Sequence, residues 1–252
     1  NLQSGKKAYF ASDQHFGAPT PEASKIREEK FIRWLSEIQK DAQVLFLMGD
    51  LFDFWHEWKY VVPKGYIRLL GKLAELKDAG IEIYFFVGNH DLWMKNYFEE
   101  ELKIPVFFEK QYFEIQGKRF LMAHGDGLGP GDKGYKRMKK LFTNPAAQWF
   151  FKWLHPDIAM RIANYMSQKN KLISGEEDKQ FLGEDKELLI IYSNEKLKTE
   201  KIDYFVYGHR HLPMVLDLKS GENLAKYINL GDWISYFTYG EFQTDFELKS
   251  FK

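Results

Sequence analysis

Histidine, aspartate and asparagine gather in five short loops of this sequence, each directly after an apolar run that reads as a β-strand. Asp13-Gln14-His15 follows Lys7 to Ser12, Gly49-Asp50 follows Gln43 to Met48, and Gly88-Asn89-His90-Asp91 follows Ile81 to Val87. His124-Gly125-Asp126 follows Arg119 to Ala123, and Gly208-His209-Arg210-His211 follows Asp203 to Tyr207. Residues two apart on an extended chain point the same way, so Asp13 with His15, and His209 with His211, can each reach one point. One such loop is ordinary turn composition. Scattered core histidines would not select strand ends beside glycine, yet only His56 and His155 lie elsewhere, and these read as structural or surface residues. Imidazole, carboxylate and amide oxygen without sulfur form a hard-to-borderline ligand set for Mn²⁺, Fe²⁺, Zn²⁺ or Mg²⁺, and the mixture of His and carboxylate favours Mn²⁺. The candidate ligands Asp13, His15, Asp50, Asn89, His124, His209 and His211 are too many for one ion and suit two. Two divalent ions ~3.5–4 Å apart clamp the attacking and leaving oxygens of an in-line displacement at phosphorus.

These loops need a scaffold that brings strand ends together. Glu22 to Lys40 reads as a helix with Ile26, Trp34, Leu35 and Ile38 on an apolar face. Pro63 to Ala79 reads as another, with Pro in its first turn and Gly80 after its end. Strand, helix, strand, helix, strand is the order of a parallel α/β core whose site lies at the carboxyl ends of its strands. Val106 to Phe108 predicts a further strand. Hairpins are predicted around Gln116-Gly117-Lys118 and Ser220-Gly221-Glu222-Asn223, with two closing strands before Phe251. The whole chain, 1–252, reads as one domain. Within it, residues 128–198 carry no strand signal and read as a helical insertion over the site, its last helix being Asp178 to Lys198.

Composition narrows the function classes. At 252 residues, 44% hydrophobic and 29% charged, the chain is globular and can bury a sizeable core. Basic and acidic residues balance at 36 each, which argues against a general nucleic-acid binder. The absence of Cys removes thiolate ligands, thiol nucleophiles and disulfides, and fits a reducing cytoplasm. No apolar run is long enough for a transmembrane helix. Aromatics at 17% exceed what a minimal core needs, and some are expected to line an apolar groove.

Taken in order, Asp-x-His, Gly-Asp, Gly-Asn-His-Asp, His-Gly-Asp and Gly-His-x-His resemble the motifs of the calcineurin-like metallophosphoesterases. The resemblance implies a four-layer α/β (α+β) fold, a β-sandwich of two mixed sheets flanked by helices, which refines the plain parallel sheet. It also implies roles. One metal would take Asp13, His15, Asp50 and His211, and the other Asp50, Asn89, His124 and His209, with Asp50 bridging and a hydroxide as nucleophile. His90 would contact the phosphate or assist the leaving group; the alternative is a supporting residue oriented by Asp91.

The insertion is similar to that of one branch, the UDP-2,3-diacylglucosamine pyrophosphatases of lipid A biosynthesis. The similarity rests on His124-Gly-Asp, Asp132, Tyr135, the basic stretch that follows, Thr143-Asn144-Pro145, Arg161-Ile162-Ala163-Asn164 and the closing Leu230-Gly231-Asp232-Trp233. It implies cleavage of an amphiphilic UDP-sugar lipid to UMP and 2,3-diacylglucosamine 1-phosphate beneath a lid that holds acyl chains. Asn89, His90, Asp132, Tyr135, Asn170 and Lys171 become candidate substrate contacts. The basic residues from Lys133 to Lys140 suit a pyrophosphate, an anionic membrane face or plain solvent. Trp149, Phe150, Phe151 and Trp153 suit acyl contact, membrane contact or helix core. The expected location is the cytoplasm, with peripheral contact at the inner membrane. Two residues depart from the branch: His90 stands where its best-known members carry Arg, and Arg210 where they carry Thr. A related metallophosphodiesterase for another nucleotide or lipid pyrophosphate is therefore the second reading, and a metal-dependent interaction scaffold the third.

Overall fold

The computed structural model describes every residue except 132 and 175–179, and every side chain except those and residues 133, 164 and 168–174. Alternating side chains dictate its layers. Along β1 (Lys7–Ala11), Tyr9 and Ala11 face one apolar cluster while Ala8 and Phe10 face another. The same split runs along β2 (Ala42–Leu47) and β3 (Glu82–Phe86): Leu45, Leu47, Ile83 and Phe85 face outward, and Val44, Phe46 and Phe86 inward. A strand apolar on both faces must be covered on both. The remaining strands are β4 (Val106–Phe107), β5 (Gln111–Ile115), β6 (Lys118–Met122), β7 (Tyr204–Tyr207), β8 (Met214–Ser220), β9 (Asn223–Asn229), β10 (Thr238–Phe242) and β11 (Phe246–Ser250). One sheet has the order β11-β10-β1-β2-β3-β4 and the second β5-β6-β7-β9-β8. β1 through β4 are parallel, whereas β10 and β11 add antiparallel edges. In the second sheet β7 is parallel to both β6 and β9.

The inner cluster joins the two sheets through Phe10, Phe46, Met48, Phe120, Met122, Val206, Ile228 and Leu230. Each such aromatic or branched side chain contributes about 1.5–3 kcal/mol by burial. Outside the first sheet lie α1 (Pro21–Ile38) and α2 (Ile67–Asp78), which bury Phe31, Trp34, Leu35, Leu69 and Leu73. Thr20 caps α1 by accepting from the Ala23 N–H, and Pro21 occupies the first turn, where its missing N–H costs nothing. A six-residue helix, α3 (Tyr97–Leu102), had no periodic signal in the sequence. Between β6 and β7 come α4 (Lys133–Phe142), α5 (Pro145–Lys152), α6 (Pro156–Ser174) and α7 (Leu188–Leu197). Among the described residues, α7 is the one of these that covers the second sheet, through Leu189, Ile190 and Leu197. The order helix, sheet, sheet, helix is the four-layer α/β architecture. Among the described residues no helix is long and apolar enough to cross a membrane.

Two helices start well after the sequence expectation. α2 begins at Ile67 rather than Pro63, because Gly65 and Tyr66 take left-handed backbone (φ 101° and 53°) and the Tyr66 hydroxyl donates to the Phe16 carbonyl at 3.1 Å. α7 begins at Leu188, well after Asp178. Gly183 turns the chain at φ 101°, and the Glu187 carboxylate is drawn off to Arg210. Residues 178 and 179 of the expected helix lie outside the described residues.

Candidate metal centre

β1, β2 and β3 of one sheet and β6 and β7 of the other deliver their carboxyl ends to one rim. Local backbone there is unusual. Asp13, His15, Asp50, His209 and His211 all have positive φ, between 46° and 69°. Non-glycine residues occupy that region rarely and at some cost, which concentrates at functional sites. Two glycines make the convergence possible: a Cβ on Gly88 would strike Asp50, and one on Gly208 would strike Ser12 and Asp13.

All seven expected ligands are brought together. His15 Nε2 lies 3.5 Å from Asp50 Oδ2, 3.7 Å from Asp13 Oδ1 and 3.2 Å from His211 Nε2. His211 Nε2 is 3.3 Å from Asp13 Oδ1. On the other side of Asp50, His124 Nε2 is 3.4 Å from the same Oδ2. Asn89 Oδ1 stands 3.2 Å from His124 Nε2 and 2.9 Å from His209 Nδ1. Asp50 Oδ2 therefore borders both groups, while its Oδ1 accepts the His90 N–H at 2.8 Å.

The far ring nitrogens fix which atoms point inward. His124 Nδ1 lies 2.9 Å from the Met48 carbonyl, an acceptor, so Nδ1 carries a proton and Nε2 is the atom turned to the centre, where a cation would displace any second proton. His211 Nδ1 faces Asp232 Oδ2 at 3.3 Å, and Asp53 Oδ1 lies 3.4 Å from His15 Nδ1 as a charge contact without hydrogen-bond geometry. Carboxylates and carbonyls behind imidazoles are the usual means of orienting them toward a metal. Burial alone would raise the Asp13 carboxyl, but His211 and His15 pull it down to about 2. Burial likewise opposes ionisation of Asp50, and His124 and His90 overcome it, holding Asp50 well below the carboxylate range. Burial would lower His124, but Asp50 drives it well above the usual imidazole value. His209 is held low by burial and by His124. Asp13 Oδ1, fully buried, has no hydrogen-bond partner among the described residues. An ionised oxygen without a hydrogen bond, facing imidazole nitrogens, fits a divalent cation, and the donor set contains no group that would exclude one.

The supporting residues were largely missed by sequence reasoning. Asp53 sits three residues beyond Asp50. Its backbone carbonyl is 3.0 Å from His90 Nδ1 and its Oδ1 3.5 Å from the same atom. Asp53, and not Asp91, thus orients the His90 ring. Asp91 instead accepts the N–H groups of Gly88 (2.6 Å) and Leu51 (3.0 Å), tying two motif loops together. Asp232 combines its His211 contact with acceptance of the Ile234, Ser235 and Tyr236 N–H groups. Its signal was present: Gly231-Asp232 follows β9 as Gly49-Asp50 follows β2. Asp126 accepts from Tyr135 Oη and Lys139 Nζ, both at 2.5 Å, which engages two of the residues expected to face substrate or solvent. Asp132 lies outside the described residues, as do the side chains of Asn170 and Lys171. His56 is buried among the rings of Trp58, Trp93 and Phe151, away from the ligands.

A cavity of about 120 Å³ opens beside His90 and Asn89. Its walls are mainly apolar: Phe54 and Trp93 from the core side, Phe142, Phe151, Ile162 and Met166 from α4, α5 and α6. Phe151 packs on Trp93 at 4.4 Å between ring centroids. Trp149 and Trp153 do not join this wall; they are 55% and 74% exposed and turn to solvent.

Residues 7–213 match the family model described as calcineurin-like phosphoesterase. The protein named UDP-2,3-diacylglucosamine hydrolase in Porphyromonas gingivalis is 36% identical, with 92% of each chain covered. The protein of that name in Yersinia pestis is 25% identical, over 89% of this chain and 90% of its own length. The family's fold implies a dinuclear divalent-metal site, which the clustered Asp and His residues suit. The chain belongs to the calcineurin-like phosphoesterases and is a metal-dependent hydrolase of phosphodiester or pyrophosphate bonds.

Proposed function

We propose that the protein hydrolyses UDP-2,3-diacylglucosamine to UMP and 2,3-diacylglucosamine 1-phosphate in lipid A biosynthesis. The observation that carries this reading is the apolar cavity adjoining Asn89 and His90. A wall of Phe, Trp, Met and Ile beside a phosphoester centre suits an amphiphile: about 120 Å³ takes the first few methylenes of an acyl chain, with the head group at the polar end. The names of the two relatives agree with it.

Asp13, His15, Asp50 and His211 would hold one ion, and Asp50, Asn89, His124 and His209 the other, Mn²⁺ being the preferred metal for this donor set. When bound, the pair supplies Lewis-acid stabilisation of the phosphoryl oxygens and an activated water. The chain's own residues orient the rest. Asp53 aligns the His90 imidazole, which takes the role of phosphate contact or proton donor to the leaving oxygen. Tyr135, held by Asp126, flanks His209 with ring centroids 6.3 Å apart and faces the head group. Water adds across the pyrophosphate P–O bond, so UMP and the sugar 1-phosphate each leave with one phosphate. Residues 128–198 act as the lid over this site. We read the exposed Trp149, Phe150 and Trp153 of the α5 region, with Lys152, as its contact with the cytoplasmic face of the inner membrane.

The test compares UDP-2,3-diacylglucosamine with UDP-N-acetylglucosamine, which lacks both long acyl chains, in the presence of Mn²⁺. The reading expects UMP from the diacyl substrate with a kcat/KM at least about a hundredfold higher, the worth of a few buried methylenes. Equal values for the two would move the reading to a general nucleotide-sugar pyrophosphatase.

A further inference from the structure

One buried hydroxyl has no place in the chemistry above. Ser167, on α6, donates to Asp53 Oδ2 at 2.6 Å, a contact that spans 114 residues of sequence. The other oxygen of the same carboxylate lies 3.4 Å from His15 Nδ1 and 3.5 Å from His90 Nδ1. One carboxylate thus joins the helical segment to an imidazole of the metal centre and to the imidazole that lines the cavity.

Among the described side chains of α6, the buried ones form one row. Ala159, Ala163 and Ser167 are spaced by four, lie on one face and are all buried. Alanine packs but gives no direction, so within this row Ser167 is the residue able to fix the helix in one place. Ile162, Ala163 and Met166 of the same helix form part of the cavity wall. Where α6 sits therefore decides the shape of the cavity, and the Ser167 bond decides where α6 sits.

We propose that Ser167 is a positioning residue, a latch that ties closure of α6 over the apolar cavity to the orientation of His15 and His90 through Asp53. The substrate side of this statement rests on the reading that the cavity takes acyl chains. A hydroxyl bonded to a buried carboxylate is stronger than a neutral hydrogen bond, and its loss shifts an open–closed equilibrium by about tenfold to a hundredfold. The linkage is reciprocal: what orders His15 also holds α6.

Hydrogen exchange on the Mn²⁺-loaded protein tests it without any substrate. Ser167→Ala should speed exchange of α6 amides by about tenfold to a hundredfold while the amides of β2 and β3 stay as in the wild type. Ser167→Thr should restore slow exchange, and Ser167→Cys, a weaker donor, should fall between. A packing role alone predicts the opposite order, with Thr, the larger side chain, worst and Ala close to wild type; that order, or α6 exchange within twofold of wild type in Ser167→Ala, would overturn the proposal. Should the Ala variant loosen the whole fold, the Thr and Cys variants still give the order. In turnover, Ser167→Ala should raise KM for the diacyl substrate about tenfold, with kcat falling less. Normal UMP release with unchanged exchange in the variants sinks the latch alone. Absence of UMP release from the wild type sinks the substrate reading and leaves the exchange result to stand.

Discussion

Asp91→Asn separates two effects that the structure superimposes on one carboxyl. Asp91 is fully buried and accepts two backbone N–H groups, yet burial and the neighbouring Asp50 charge push its carboxyl up to about 8. The folded protein therefore holds a proton on Asp91 between about pH 4 and 8, where the unfolded chain does not. Native protein binds more protons than unfolded protein across that window, so stability falls as pH rises through it and levels off above 8. One proton's difference makes the slope about 1.4 kcal/mol for each step of one in pH, which comes to a loss of about 2 kcal/mol between pH 6 and 8. Asparagine cannot ionise, so it removes the share of the slope that Asp91 supplies, while the histidines of the centre keep theirs in both proteins. It also turns an NH₂ toward one of the two N–H donors, at a cost of about 1–3 kcal/mol. Urea unfolding of EDTA-treated wild type and variant at pH 6, 7 and 8 should show the variant less stable at pH 6, with the gap closing by about 2 kcal/mol at pH 8. Mn²⁺ should lessen the wild-type slope, because cations beside Asp50 cancel its share of the upward push on Asp91 and leave that of burial. A gap that stays constant with pH would refute the reasoning.

Asp50→Asn should lower turnover of any substrate by at least about a thousandfold, since its Oδ2 borders both ligand groups; kinetics with a small chromogenic phosphodiester, beside metal analysis, checks this. Arg210→Ala strips the charged partner from Glu187, 4% exposed at its side chain and left with the Leu182 N–H, and should cost about 3–5 kcal/mol in urea unfolding, while the double variant with Glu187→Ala should recover part of it. Ser at both Trp149 and Trp153 should weaken sedimentation with phosphatidylglycerol vesicles while leaving the melting temperature within about 2 °C, because both indoles are exposed.

The site was legible where local backbone carries it. The candidate ligand loops follow apolar strands and need glycine nearby for close approach, so Asp50, Asn89 and His124 stand out in the sequence. Asp53 was not legible, because its partners, His15 and His90, come from other loops and only folding brings them together; Asp232 carried the Gly-Asp signal after β9, but not its pairing with His211. Parallel strands β1 to β3 followed from apolar runs, but two sheets rather than one did not: the runs say that a strand is covered, not by what. α2 and α7 started late where Tyr66 and Glu187 spend their side chains on distant partners. The aromatic cluster around α5 had no single face in sequence, and the fold divides it, Phe151 to the cavity and Trp149 and Trp153 to solvent. Arg210, which departs from the branch pattern, acquires a structural reason in its paired contacts with Glu187 at 3.0 Å.

The central claim, a two-metal centre acting on an acylated UDP-sugar, meets its most direct test in a metal titration of UMP release from UDP-2,3-diacylglucosamine by apoprotein. The account predicts that release rises with added Mn²⁺ and reaches its plateau at two equivalents per chain. Full activity at one equivalent, or no UMP at any metal concentration, would contradict it.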